Sequence, residues 1–308
     1  VIEVRNLVKN YDGTQALRGI SFAVRDGDIF GFIGPNGAGK TTTIRILATL
    51  LNPTSGSARV DGHCVVNHPE RVRRMIGYMP DYYGVYEGIS VLEYLLFFAG
   101  AYHLAWAHRQ RIVADVMELT DLAPHRDRLV SGLSKGMKQR LCLAKTLLHD
   151  PKFLILDEPA SGLDPRARVE LRVLLKELAR MGKTIFISSH ILTELSDICN
   201  TVGIIEKGEI LACGDVDTIR EKLSPHRVLT VEVLEGAEEA GALAARHPDV
   251  IGVEVQGNTV RVDFRGERPA IAALVRRLVE GGTPLVGVQE EKQDLEDLFM
   301  KITKGELA

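Results

Sequence analysis

Residues 34–41 read GPNGAGKT, directly after the apolar run DIFGFI (28–33) and ahead of a stretch with helical character from Thr42 to Leu51. No other part of the chain constrains the fold as tightly. A short apolar run bounded by polar residues suits a buried strand, and strand, glycine-rich turn and helix in that order form a phosphate-binding loop. Glycines at 34, 37 and 39 leave successive backbone N–H groups free to turn onto a phosphate, where the helix N-terminus adds partial positive charge. Asn36 and Thr42 complete the loop's candidate phosphate contacts. Lys40 is placed to reach β- and γ-phosphates, and the Thr41 hydroxyl to ligate Mg²⁺.

The 308 residues allow one large domain or two ordinary ones, with ample length for a buried core. A formal charge of −3 gives no global pull toward nucleic acid or anionic lipid, so no nucleic-acid partner is expected. The four cysteines (64, 142, 199, 213) show no CxxC pair and no disulfide-framework spacing, which suits a reducing cytosol. Neither a signal peptide nor a transmembrane span is expected. The best apolar run, Val91 to Leu104, is too short to cross a bilayer and carries Glu93 near its start. Ser90 with Glu93 forms a capping-box pattern, which predicts a water-soluble helix there. Any membrane served by this chain must be spanned by another.

The opening, Ile2 to Val24, reads as strands joined at the Asp12–Gly13 turn, and a second short β region follows in residues 57–66. From Val91 to His149 the pattern is helical. Strands return at residues 153–157 (FLILD) and 184–189 (TIFISS), continuous apolar runs suited to parallel strands buried on both faces, with Val169 to Met181 as the crossover helix. After Ser224 and Pro225 the character changes. Leu229, Val231 and Val233 alternate with polar residues, an alanine-rich helix follows, and Ile251, Val253, Val255 and then Val260, Val262, Phe264 alternate across the turn Gly257–Asn258. Pro269 to Glu280 reads as a helix and Leu285 to Val288 as a fourth strand, giving the order βαββαβ of the ferredoxin-like split motif. A last helix would carry Leu295, Leu298, Phe299 and Ile302 on one stripe.

Behind the phosphate loop come, in order, LSKGMKQR (133–140), FLILDEP (153–159), SGLDP (161–165) and SSH (188–190). This ordered set resembles the nucleotide-binding subunit of ATP-binding cassette transporters over roughly Val1 to Leu223. The ferredoxin-like remainder, with its LEDLFMKI (295–302), looks like the branch whose ATPases serve separate membrane subunits in export. The resemblance implies an α/β cassette of the P-loop NTPase type with an antiparallel β flap and an inserted helical lobe (1–224), plus a smaller α+β ferredoxin-like domain (225–308). It implies an ATPase that uses ATP and Mg²⁺, at the cytoplasmic face of the cell membrane, partnered by integral membrane permease subunits.

On the matching positions, Asp157 holds Mg²⁺ directly or through water, Glu158 polarises the attacking water, and His190 is the switch histidine at the γ-phosphate. Tyr11 is the aromatic that stacks on adenine, worth about 1–3 kcal/mol by analogy with base–aromatic contacts. Ser134 and Gly136 cap the γ-phosphate bound by the opposite protomer, so a second cassette subunit, identical or closely related, is required. Two positions depart from the family pattern. Lys135 and Met137 replace the glycine and glutamine of LSGGQ, and Lys135 either adds charge at the phosphate or points into solvent. Asp81, ending IGYMPD (76–81), stands where the family uses glutamine; it either ligands the metal or has lost contact with it. Two other readings stay open on sequence: a soluble relative acting on ribosomes or DNA, and a regulatory module that does not hydrolyse ATP.

Overall fold

The computed structural model describes residues 1–82, 84–191, 195, 198–216, 218–219 and 227–291. The Ser224–Pro225 boundary and the stripe Leu295, Leu298, Phe299 and Ile302 lie outside the described residues. By compactness the chain divides into two units, Val1–Val216 and Asp217–Ala308.

In the first unit, strands β1 (Ile2–Tyr11) and β2 (Thr14–Val24) form the expected hairpin, and β4 (Ser55–Val60) and β5 (His63–Cys64) extend it into an antiparallel sheet of order β2-β1-β4-β5. A second sheet has the order β10-β9-β3-β8-β7-β6, from β3 (Ile29–Ile33), β6 (Ile76–Met79), β7 (Phe153–Leu156), β8 (Thr184–Ser189), β9 (Thr201–Glu206) and β10 (Glu209–Asp215). Every residue of β3, β7 and β8 is buried, as their unbroken apolar runs require of parallel strands covered on both faces. Phe22 of the flap stacks on Phe30 of the main sheet with centroids 5.4 Å apart, and Phe32 and Phe186 close the cluster. Aromatic packing of this kind fixes the flap on the sheet at the strand that feeds the phosphate loop.

Helix α1 spans Lys40–Leu47, not Thr42 to Leu51. It starts at the lysine because Gly39 supplies its N-cap in a left-handed conformation, and it stops early because Thr49 takes a positive φ. Helix α2 is Pro69–Met75. The helical lobe carries α3 (Val91–Ala101), α4 (Trp106–Leu119) and α5 (Lys135–Leu147). The Ser90–Glu93 capping box forms in full: Ser90 Oγ accepts from the Glu93 N–H at 3.2 Å, and Glu93 Oε2 accepts from the Ser90 N–H at 2.7 Å. The crossover helix α6 runs Pro165–Arg180, four residues earlier than expected, because Asp164 caps it through the Ala167 N–H at 2.9 Å and Pro165 fits its first turn. Among the described residues no helix is long and apolar enough to cross a membrane.

The second unit follows the βαββαβ order: β11 (Arg227–Val233), α7 (Ala237–Ala244), β12 (Val250–Gln256), β13 (Thr259–Phe264), α8 (Arg268–Glu280) and β14 (Leu285–Glu291). Its sheet order, β12-β13-β11-β14, is antiparallel throughout. Leu229, Val231, Val233, Val260, Val262 and Phe264 form the core with α7 and with Leu274 and Leu278 of α8. One expectation fails here. Ile251 is 50% exposed, because the β12–β13 register shifts between Val250 and Gly252. The extra residue turns Ile251 outward and leaves Val250, Val253 and Val255 on the core.

Candidate nucleotide site

Four neighbouring parallel strands, β3, β8, β7 and β6, deliver polar residues at their C-terminal ends, where open α/β sheets bind ligands. Gly34 N–H donates to the Ser189 carbonyl at 3.3 Å and Asp157 N–H to the Met79 carbonyl at 2.9 Å, so the loop, the acids and the turn carrying Asp81 share one framework. A side chain at 34 would place its Cβ 2.1 Å from the Ile205 carbonyl oxygen. Gly39, at φ 110°, adopts a conformation that only glycine takes cheaply.

A cavity of about 380 Å³ opens over the loop. Asn36, Gly37, Gly39, Lys40, Thr41 and Thr42 line it, facing Asp81, Glu158 and His190. Ala16 and Ser161 also line it; Ala16 arrives from the flap hairpin, and Ser161, which opens the SGLDP motif, from the turn after the acids. Asp157 lies beneath, fully buried.

Lys40 is 6% exposed. Its ammonium donates to the Gly34 and Pro35 carbonyls at 2.6 and 3.2 Å and sits 3.3 Å from Glu158 Oε1. The last contact is ionic rather than a hydrogen bond, so Oε1 keeps its lone pairs. Glu158 Oε2 meets His190 Nδ1 at 2.7 Å. A carboxylate only accepts, so Nδ1 carries the hydrogen, an assignment made from the network. Glu158 itself has φ 50°, a left-handed state that costs a non-glycine residue roughly 1–2 kcal/mol. Its N–H donates to Ser188 Oγ at 2.9 Å, and its carbonyl accepts from the Ser161 N–H at 3.0 Å.

Ser188 Oγ also donates to Asp157 Oδ1 at 2.7 Å. Burial pushes the Asp157 carboxyl above its ordinary value; the hydroxyls of Ser188 and Thr41 pull it down, and the charges of Asp81 and Glu158 push it up again. Asp157 Oδ2 is buried with no hydrogen-bond partner. A buried bare carboxylate oxygen beside a threonine hydroxyl and the phosphate loop is the donor set of a hard cation shared with phosphate, so the residues fit Mg²⁺.

The remaining sequence candidates lie elsewhere. Tyr11 ends β1, 43% exposed, with the Lys9 ammonium 5.3 Å over its ring. Ser134 caps α5, its Oγ accepting from the Met137 N–H at 3.3 Å, and Gly136 sits in the first turn. Neither Tyr11, Ser134 nor Gly136 lines the cavity over the loop. A second cavity, about 370 Å³, is lined by Asp81, Glu158, Ser161, Lys135 and Gln139 among others. Lys135, which the sequence leaves between phosphate and solvent, thus lines a cavity together with Asp81 and Glu158 of its own chain. Asp81 accepts from the Tyr82 N–H at 2.8 Å through Oδ1.

A phosphate loop, two acids at a strand end and a histidine from the next strand define a nucleoside-triphosphate hydrolase of the P-loop class. Residues 17–161 match the ABC transporter family. The chain is 35% identical over 308 residues to the bacitracin transport ATP-binding protein of Bacillus licheniformis, covering 99% of this chain and 98% of that one. It is 36% identical over 311 residues to the daunorubicin/doxorubicin resistance ATP-binding protein of Streptomyces peucetius, covering 98% and 92%. A solved ATP-binding subunit of an ABC transporter superposes with a TM-score of 0.65 at 32% identity, over 72% of this chain and 92% of that one. The chain belongs to the ATP-binding subunits of ABC transporters, ATPases coupled to transport.

Proposed function

We propose that this chain hydrolyses ATP with Mg²⁺ to power export through separate membrane permease subunits, as one of two paired cassettes at the cytoplasmic face of the cell membrane. Export is supported by the full-length likeness to a bacitracin transport protein and a daunorubicin/doxorubicin resistance protein. Cargo selection belongs to the membrane subunits. Residues 1–224 form the cassette and 225–308 an accessory domain with a core of its own.

The observation that carries the hydrolytic reading is the clamp on Glu158, whose carboxylate is held by His190 on one oxygen and faces Lys40 with the other. Glu158 accepts the proton of the attacking water at Oε1, while His190 holds the carboxylate in place through Oε2. Lys40, Thr42 and the N–H groups of Asn36 to Thr41 bind and orient the phosphates. Thr41 and Asp157 hold the metal, with Asp81 as a further oxygen donor. Bound Mg²⁺ supplies charge neutralisation on the phosphate oxygens. Tyr11 stacks on the adenine. Ser134 and Gly136 act across the pair, on nucleotide held by the partner subunit.

Glu158→Gln tests this reading. It should lower turnover at least a hundredfold, the scale of general-base catalysis, while ATP binding persists and an ATP-bound dimer accumulates on size exclusion. Near wild-type hydrolysis with only monomer in ATP would remove Glu158 as the base.

A further inference from the structure

Ser188 is the penultimate residue of β8, between the strand that feeds the phosphate loop and the strand that carries the acids, and its side chain has no exposed surface. Its hydroxyl touches both acids: Oγ donates to Asp157 Oδ1 at 2.7 Å and accepts from the Glu158 N–H at 2.9 Å. A hydroxyl has one hydrogen to give. Because that hydrogen lies on Oδ1 and a lone pair receives the Glu158 N–H, the group is fixed from both sides.

We propose that Ser188 is a positioning residue for ATP hydrolysis: one buried hydroxyl occupies Asp157 Oδ1, so that Oδ2 is the oxygen presented to the cation, and pins the Glu158 peptide in its left-handed state. This inference rests on the roles proposed above for Asp157 and Glu158. The geometry carries it at two points. Asp157 Oδ2 is a buried carboxylate oxygen without a hydrogen-bond partner, and it belongs to the acid whose other oxygen Ser188 holds. Glu158 is also the acid whose backbone needs holding, since φ 50° is unfavourable for any residue with a Cβ. An alanine at 188 would strand Oδ1 and the Glu158 N–H together. The carboxylate would then be free to rotate, and the peptide free to relax toward an ordinary φ.

The test uses the full chain, with Mn²⁺ as a spin-visible stand-in for Mg²⁺, titrated in the presence of a non-hydrolysable ATP analogue. Ser188→Ala should weaken Mn²⁺ uptake beside the nucleotide by about tenfold, at the lower end of what a buried hydrogen bond to a charged group contributes. kcat should fall by at least about as much. Metal-free nucleotide affinity should stay within about twofold, because the phosphate loop keeps its own hydrogen bonds. Ser188→Thr, which keeps the hydroxyl and suits a strand, should restore both metal uptake and kcat. Wild-type metal uptake in Ser188→Ala would overturn the inference, as would equal losses of metal and metal-free nucleotide affinity, or a folded Thr variant no better than Ala. Should the alanine variant not fold, Ser188→Cys gives the same reading through its weak thiol donor: reduced metal uptake supports the inference and unchanged uptake overturns it. A wild-type protein that takes up nucleotide but no Mn²⁺ overturns the proposed function, and this inference with it.

Discussion

The strand-end site and the Ser134–Gly136 segment are both short polar motifs, yet the chain builds them in opposite ways. Around the phosphate loop three functional side chains are held within the chain: Lys40 by loop carbonyls, Glu158 by His190, Asp157 by Ser188. The segment at 134–136 instead lies outside the loop cavity, and Ser134 Oγ is engaged only as the cap of its own helix at a long 3.3 Å. A motif whose contacts close within the chain works on what that chain binds. Ser134, exposed and outside that cavity, is open to a surface from another chain, and the proposed function accordingly assigns Ser134 and Gly136 to nucleotide on a second subunit.

The sharpest way to break this contrast is Lys40→Ala. Removing a 6% exposed cation leaves Glu158 Oε1 without its counter-charge and deletes the proposed phosphate contact, so nucleotide affinity should fall by about a hundredfold or more, on the scale of a lost charged hydrogen bond. Equilibrium binding of a fluorescent ATP analogue reads this directly.

Gly136→Ala probes the other side. A Cβ there meets Ala167 and Leu163 at 3.6 Å, which is ordinary contact, and alanine is favoured over glycine in a helix by about 1 kcal/mol. The melting temperature should hold or rise, and nucleotide affinity of the monomer should not change. Turnover should nonetheless drop about tenfold, the cost of a mispositioned transition-state contact. Wild-type turnover in this variant would mean that no partner packs on the segment.

The smallest effect is expected for Asp81→Gln. A neutral amide is a weaker donor to a hard cation than a carboxylate, so the Mg²⁺ concentration for half-maximal ATPase activity should rise about two- to fivefold, the range of an exposed charged contact. Superimposable Mg²⁺ titrations of the two proteins would show that Asp81 touches neither metal nor phosphate in the rate-limiting state.

The parallel strands were legible because burial on both faces leaves unbroken apolar runs such as FLIL and TIFISS, and the site was legible because phosphate chemistry restricts which residues can follow a strand. Ser188 was not. Within SSH it reads only as a serine ahead of the histidine, and its proposed role depends on β8 lying between β3 and β7, an order set by sheet packing rather than by local pattern. Ala16 is hidden for the same reason, and the SGLDP motif that Ser161 opens does not by itself place Ser161 at the loop. The start of α1 differs because the GPNGAGKT pattern counts Lys40 and Thr41 as loop, whereas Gly39 caps the helix and both residues lie in its first turn. Ile251 was misread because a period of two cannot announce a bulge.

That bulge bears on how the molecule keeps to itself in a crowded solution. Strand β12 is an outer strand of its sheet, and a regular outer strand presents an even row of backbone donors and acceptors on which another extended chain can assemble. The extra residue at Ile251 interrupts the row and increases the local twist, so an incoming strand finds no continuous ladder to zip along. An isoleucine half open to water, costly by itself, is thereby placed where it spoils the template for aggregation.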